Sequence, residues 1–185
     1  PLSPSGLRVA RRGMRLATEL ELPLVSIIDT SGAALSREAE EGGLAGEIAR
    51  CLAELVVLAE PTLGVLLGQG TGGGALALMP ADRVVCAQHS WLSPLPPEGA
   101  SAILYRDTAH APVLAAQQRV RSTDLLADGI VHRIVAERPD AADEPEAFCQ
   151  RLAQVIAHEL GELSAMKPAS RLAARHSRYR NLGLG

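Results

Sequence analysis

Aromatic side chains are nearly missing: they make up 2% of the 185 residues. Few rings are therefore present on which a nucleobase or a sugar could stack. A basic excess is missing too, since 18 Lys and Arg stand against 21 Asp and Glu, a formal net charge of -3. A nucleic-acid surface would carry the opposite bias. The three cysteines, Cys51, Cys86 and Cys149, are far apart, with no C-x-x-C pair, so a zinc ribbon is not encoded. Cys51 and Cys86 fall in apolar stretches and read as buried thiols, a usage that fits a reducing, cytoplasmic compartment. His89, His110, His132, His158 and His176 share no ligand spacing, so no metal is expected. No apolar run approaches the roughly 20 residues of a membrane span, and no secretory leader is visible. The chain opens at Pro1 without a methionine, which points to a piece of a longer polypeptide.

What is present suits a single globular domain over residues 1–185: 47% hydrophobic and 21% charged residues are ordinary values. Helical spacing over 6–21 puts Leu7, Ala10, Met14, Ala17 and Leu20 on one face, with Ser5 as the expected N-cap. "LPLVSIIDT" (22–30) reads as a buried parallel strand and "SGAALSREAEEGG" as the loop after it. A helix is expected over 44–59, with Leu44, Ile48, Leu52, Leu55 and Val56 inward. A second strand follows at 62–69, then a short buried helix in "GGALALMPA", a third strand at 83–87 and a Pro- and Ser-rich loop up to Gly99. Short helices, one capped by Ser122, precede a last strand "IVHRIVAE". A long amphipathic helix over 144–163 and a basic tail complete the chain. Strands alternating with helices make the class α/β.

"VLLGQGTGGGALALMPADRV" (65–84) is the most unusual stretch, because glycine costs backbone entropy. A phosphate-binding P-loop needs Lys and Ser or Thr after the glycines, but Ala75 and Leu76 follow Gly74. Gly68, Gly70 and Gly73 match G-x-G-x-x-G, yet no acid ends the next strand to hold a ribose. Two readings remain: a hole of free N–H groups at a helix start, or a tight crossing of elements that tolerates only small residues.

"LPLVSIIDTSGA", "AEEGG", "GEIARCLAEL", "GQGTGGGALAL" and "PPEGASAILYRDTAHAPVLAAQ", in this order, resemble the carboxyltransferase component of biotin-dependent acyl-CoA carboxylases, alpha-subunit type. The resemblance runs over nearly the whole chain and extends to the tail "RHSRYRNLG". It implies a crotonase-like α/β fold of stacked ββα units, related to that of the ClpP-like proteases. It also implies transfer of a carboxyl group from carboxybiotin, borne by a biotin carboxyl carrier protein, to a short-chain acyl-CoA such as acetyl-CoA or propionyl-CoA. A beta-type half, separate or fused, would supply the hole for the thioester enolate. This half would supply the hole for the ureido oxygen of biotin, formed by the N–H groups of Gly74 and Ala75, with little activity alone. Carried over residue by residue, Gly73 belongs to the same binding turn and Ala77 lines the acyl pocket. Gly32 and Ala33 lie beside the biotin path, and Glu98, Gly99 and Ala100 form a cleft wall. Leu35, Ser36, Arg37 and Glu38 replace the Pro-Gly-rich stretch usual in the family.

Other signals weigh less. "AMKP" around Lys167 resembles a biotinylated-lysine motif, but Pro168 stands where Met is required. Asp29, Ser31 and His89 could be drawn as a triad, but G-x-S-x-G is absent. Glu98 is the one acid placed to act as a base; a plain capping carboxylate is the simpler role. The runner-up enzyme is a related CoA-ester decarboxylase or crotonase-type hydratase, the hydratase needing two such acids, and a non-catalytic assembly half is the reading from another class. The tail arginines Arg171, Arg175, Arg178 and Arg180, with Lys167, suit a solvated helix or contact with the phosphates of CoA. Apolar stripes on the terminal helices suit oligomer contacts.

Overall fold

In the computed structural model, which describes residues 1–182, one parallel sheet organises the chain. Its strands β1 (Leu24–Thr30), β2 (Thr62–Thr71), β3 (Arg83–Ala87) and β5 (Arg133–Val135) run in the order β1-β2-β3-β5. A three-residue strand β4 (Trp91–Ser93) pairs parallel to the far end of β2. β2 is central and sequesters both its faces, as a continuous apolar strand of a parallel sheet must. Leu63 and Val65 meet the long helix α8 (Pro145–Ala165) through Leu152, Val155, Ile156 and Leu160. Leu66 points the other way, into a cluster with Ile28, Ala75, Met79, Val84 and Cys86. Beyond that cluster, α1 (Pro4–Leu20) packs on α3 (Leu44–Val57) through Leu7, Met14, Leu44, Cys51 and Leu55.

Most expected elements are present, with local differences. β1 is an edge strand, not a buried one: only Ile28 is buried and Ile27 is 52% exposed. Ser3, not Ser5, caps α1, its Oγ accepting from the Gly6 N–H at 3.2 Å. The stretch expected as a loop contains α2 (Arg37–Glu41), capped by Ser36, whose Oγ accepts from Ala39 N–H at 3.2 Å. The inward face of α3 is Leu44, Glu47, Cys51 and Leu55; Ile48, Leu52 and Val56 are half-buried. Glu47 comes inward because Arg11 of α1 reaches it at 2.9 Å.

The helix after the glycines is α4 (Gly72–Leu76), only five residues, and β2 continues through Gly70 to Thr71 before it. α5 (Pro97–Tyr105), α6 (Ala111–Gln117) and α7 (Ser122–Ala127) follow β4. Ser122 opens α7 but does not cap it; its Oγ donates to the Gln88 carbonyl, tying α7 to the end of β3. The last strand shortens because the His132 ring replaces a rung of the ladder, its Nδ1 accepting from Val84 N–H at 3.0 Å. The basic tail is α9 (Pro168–Asn181); the expected domain and tail end at residues 183–185, outside the described residues. Leu7, Met14 and Ala17 of α1 pack into the core, while Leu20 of the same expected face is 61% exposed, and α9 buries Arg171 and Arg175. Among the described residues no helix is long and apolar enough to cross a membrane.

Candidate active site

Ligand sites of parallel sheets gather beyond the C-terminal ends of the strands, where the loops diverge. Here that edge carries two features. The first is the glycine turn. A Cβ at Gly68 would stand 2.6 Å from Asp29 Oδ1, which accepts from Gln69 N–H at 2.9 Å. One at Gly70 would meet Leu66 and Leu92 at 2.8 Å, and one at Gly73 would meet Ile48 at 3.0 Å. At Gly74 it would press on Gly32 C and Ala33 N, both at 3.0 Å. Close crossing thus accounts for four of the glycines. Gly72 alone among them needs a positive φ, +57°, to turn the strand into the helix.

Close crossing does not account for the polar groups left over. Thr71 occupies the N-cap position of α4 but makes no side-chain cap bond. Its Oγ1 is buried and has no hydrogen-bond partner. Gly74 N–H falls in the first turn of α4, where the helix offers no acceptor, whereas Ala75 N–H is the first donor of the helical ladder, to Thr71 O. A buried polar group left unmatched costs about 1–3 kcal/mol, so this cluster is suited to an incoming acceptor. Nothing in composition or spacing singled out Thr71; its type, a hydroxyl directly before a helix start, was the available signal.

The loop after β1 stands over this turn. Gly32 has φ +118° and its Cα faces the Thr71 methyl; Thr30 Oγ1 closes the loop, accepting from Gly32 N–H and donating to Gly32 O, both at 3.1 Å. Leu2 fixes it from outside, donating to Gly32 O at 2.9 Å and accepting from Ala34 N–H at 2.8 Å. Gly32, Ala33, Gly73, Gly74 and Ala75 are therefore brought together. Gly74 and Ala75 are buried, and among the described residues neither lines the cavity of about 770 Å³ beside β4. Ala77 is wholly buried in the cluster of α1 and α3, so in this chain it is a core residue rather than a pocket wall.

The second feature is a cavity of about 770 Å³, of the size that takes a cofactor or drug-sized ligand. Gln69, His89, Trp91, Glu98, Arg121 and Ser122 contribute to its walls, so Glu98 lies here rather than at the glycine turn. Gly99 and Ala100 continue α5 behind Glu98, Ala100 being buried. Glu98 is exposed in the first turn of α5, where its charge suits the helix dipole. Among the described residues it is the only carboxylate in the lining.

His89 is held from behind. Glu137, its side chain 6% exposed, accepts from His89 N–H at 3.0 Å and stands 3.2 Å from His89 Nδ1. Asp140 lies 3.8 Å from the same nitrogen. These carboxylates place the ring proton on Nδ1 and leave Nε2 free. Histidine spacing could not reveal this cluster, because the partners of His89 are acids from a distant loop. Asp29 is engaged with Gln69, so the imagined triad does not assemble.

The tail arginines depart from expectation. Arg175 is wholly buried, pairs with Asp82 through Nε–Oδ1 and Nη2–Oδ2 bonds of 2.8 Å each, and donates Nη1 to Leu55 O and Leu58 O. Arg171, 4% exposed, donates to the carbonyls of Leu163, Met166 and Ala59. Neither is a solvated side chain, and Arg175 has no donor to spare for CoA. Lys167 lies between two helices, α8 and α9, not at a hairpin tip.

A family model described as acetyl co-enzyme A carboxylase carboxyltransferase-like matches residues 2–183. A Mycobacterium tuberculosis protein named probable biotin-dependent acyl-coenzyme A carboxylase beta3 subunit is 62% identical over 183 residues, 99% of this chain and 37% of that protein. The acetyl-coenzyme A carboxylase carboxyl transferase subunit alpha of Deinococcus radiodurans is 43% identical over 182 residues, covering 98% of this chain and 58% of its own. The chain thus spans less than two thirds of the length of these relatives. Among solved structures, transcarboxylase 12S with methylmalonyl-coenzyme A and methylmalonic acid bound superposes with a TM-score of 0.74 at 21% identity, over 90% of this chain and 32% of that one. A Pseudomonas malonate decarboxylase hetero-tetramer in complex with coenzyme A gives 0.73 at 19% identity, over 97% and 74%. Likeness at these identities shows the crotonase-like α/β architecture alone. The family match covers nearly the whole described chain: this protein belongs to the acetyl co-enzyme A carboxylase carboxyltransferase-like family.

Proposed function

We propose that this chain is the half of a biotin-dependent acyl-CoA carboxylase carboxyltransferase that receives carboxybiotin, and that it acts with a beta-type half and a biotin carboxyl carrier protein. The acceptor is a short-chain acyl-CoA, acetyl-CoA or propionyl-CoA. Relatives in which the matched stretch is part of a longer chain favour a beta-type half on the same polypeptide. Carboxybiotin supplies the transferable carboxyl group and a ureido oxygen on which charge develops. This chain's part is to hold that oxygen. Gly74 N–H and the Thr71 hydroxyl are its donors, set in advance in a dry turn and joined by Ala75 N–H, which also opens the α4 ladder; each such donor is worth roughly 2.7–4 kcal/mol of transition-state stabilisation.

The single observation that carries this reading is the co-location of the orphaned Thr71 Oγ1 with the first-turn Gly74 N–H at the end of β2. The burial of that turn sets a condition: the loop over Gly74, residues 31–36, must give way for the ureido group to enter. The cavity beside β4, with the free Nε2 of His89, then takes the other reactant. A hydratase reading is less favoured because Glu98 has no second carboxylate in the lining.

The test is isotope exchange between malonyl-CoA and biotin with the beta-type half supplied. Thr71→Val is expected to lower exchange about 100-fold with unchanged folding, and Ala75→Pro to abolish it while circular dichroism stays native. Full exchange by folded Ala75→Pro protein would remove the hole. No exchange by the wild-type pair would leave an assembly role.

A further inference from the structure

The N-terminal edge of the sheet, opposite the site above, holds a second cavity of about 390 Å³. Asp82, Arg83, His132, Arg171, Arg175 and Arg178 line it. Their charges do not balance. Glu159, 1% exposed, serves both Arg83 at 3.0 Å and Arg133 at 2.8 Å. Asp82 serves Arg175 at 2.8 Å and lies 3.4 Å from Arg171 Nε without hydrogen-bond geometry. Two carboxylates thus face five guanidiniums, those of Arg83, Arg133, Arg171, Arg175 and Arg178.

Arg178 has no carboxylate partner among the described residues. Its Nη groups donate to the carbonyls of Ala81 and Ile130 and to the Tyr179 hydroxyl. The Nε atoms of Arg178 and Arg171 are buried and unpartnered. A buried, uncompensated guanidinium is costly, and the neighbours register it. Burial and Arg83 hold Arg178 below its ordinary range. Burial, Arg178 and Arg83 push His132 down to about 4, against a weaker upward pull from Glu159. Because His132 Nδ1 accepts from Val84 N–H, the neutral ring carries its proton on Nε2, as a donor.

We propose that this cavity is a binding site for a phosphate group, drawn by the uncompensated guanidinium charge of Arg171 and Arg178 in its lining, with His132 as a third contact. Guanidinium groups suit the planar, multi-oxygen edge of phosphate, and an excess of more than one positive charge favours a dianion over a carboxylate. The site lies at the strand starts and is independent of the reaction assigned to the opposite edge.

The test is a titration of the 185-residue chain with sodium phosphate at ionic strength held constant by sodium chloride, followed through histidine ring resonances. The expected result is a saturable shift at His132 with a half-point in the millimolar range, a titration midpoint raised above about 4, and no shift at His89, His110 or His158. Arg178→Gln should weaken binding about tenfold or more. If that variant does not fold, the wild-type titration still decides. Coenzyme A and dephospho-coenzyme A separate the sources: a stronger response to the former assigns the ribose 3′-phosphate, and a response to inorganic phosphate without one to either assigns free phosphate. No saturable response at His132, or the same response to sodium chloride alone, overturns the site.

Discussion

Replacing Arg175 by alanine should cost this chain about 4–5 kcal/mol of stability. Arg175 is wholly buried, and its guanidinium joins three parts of the fold: Asp82 before β3, the last turn of α3 through Leu55 O and Leu58 O, and α9 itself. Breaking one partner of a buried pair costs about 3–5 kcal/mol, chiefly because the surviving charge stays buried. Here the lower end applies. Asp82 keeps Arg171 at 3.4 Å and still accepts from Thr62 N–H and Oγ1 at 2.8 and 3.0 Å. The carbonyls at the end of α3 add about 1–2 kcal/mol, since water entering the vacated space rehydrates only part of them. Domains of ordinary stability have about 5–15 kcal/mol in all, so the variant should be marginal. Urea denaturation followed by circular dichroism measures the loss, provided the m-value is unchanged. Asp82→Asn in the same background should cost less than the sum of the single changes. A loss under about 1.5 kcal/mol for Arg175→Ala would refute the view that α9 is latched by this pair.

Acid should weaken the fold through His132, whose ring titrates near 4 when folded against 6.5 when free. The unfolded chain then binds the proton first, so stability falls as pH drops from about 6.5 to 4 and levels off below. With partial exposure discounted, the loss is on the order of 2 kcal/mol, and His132→Gln should flatten it in urea titrations run at several pH values. Burial pushes the Cys51 and Cys86 thiols up to about 11, while Cys149 is exposed. One equivalent of iodoacetamide should therefore label the native chain at Cys149, and fast labelling of Cys86 would contradict the packing. Gly74→Ala places a methyl 3.0 Å from the backbone of Gly32 and Ala33, which should lower stability by about 1–3 kcal/mol and loosen the 31–36 loop to proteolysis.

How much of this was legible in the sequence depends on which force set each feature. Strand–helix alternation and the apolar faces of α1 and α3 follow from periodicity, and Leu7, Met14 and Leu55 are where that periodicity puts them. Periodicity fails where a charge comes inward because a partner arrives from far along the chain: Glu47 meets Arg11, and Arg175 meets Asp82. A basic tail looks solvated until the acid it neutralises is known. The same reasoning covers the glycine run. Its composition left a binding hole and a tight crossing both open, and the fold shows the crossing at Gly68, Gly70, Gly73 and Gly74. A turn that must be small to fit is also a turn with no side chains to satisfy its own polar groups. That is why Thr71, which with Gln69 supplies the only side chains between Gly68 and Gly74, is left with an unpaired hydroxyl beside the first-turn Gly74 N–H. Packing and chemistry are therefore not rival explanations of this stretch: the close approach of the loop after β1 keeps water away from the donors that the proposed reaction would use.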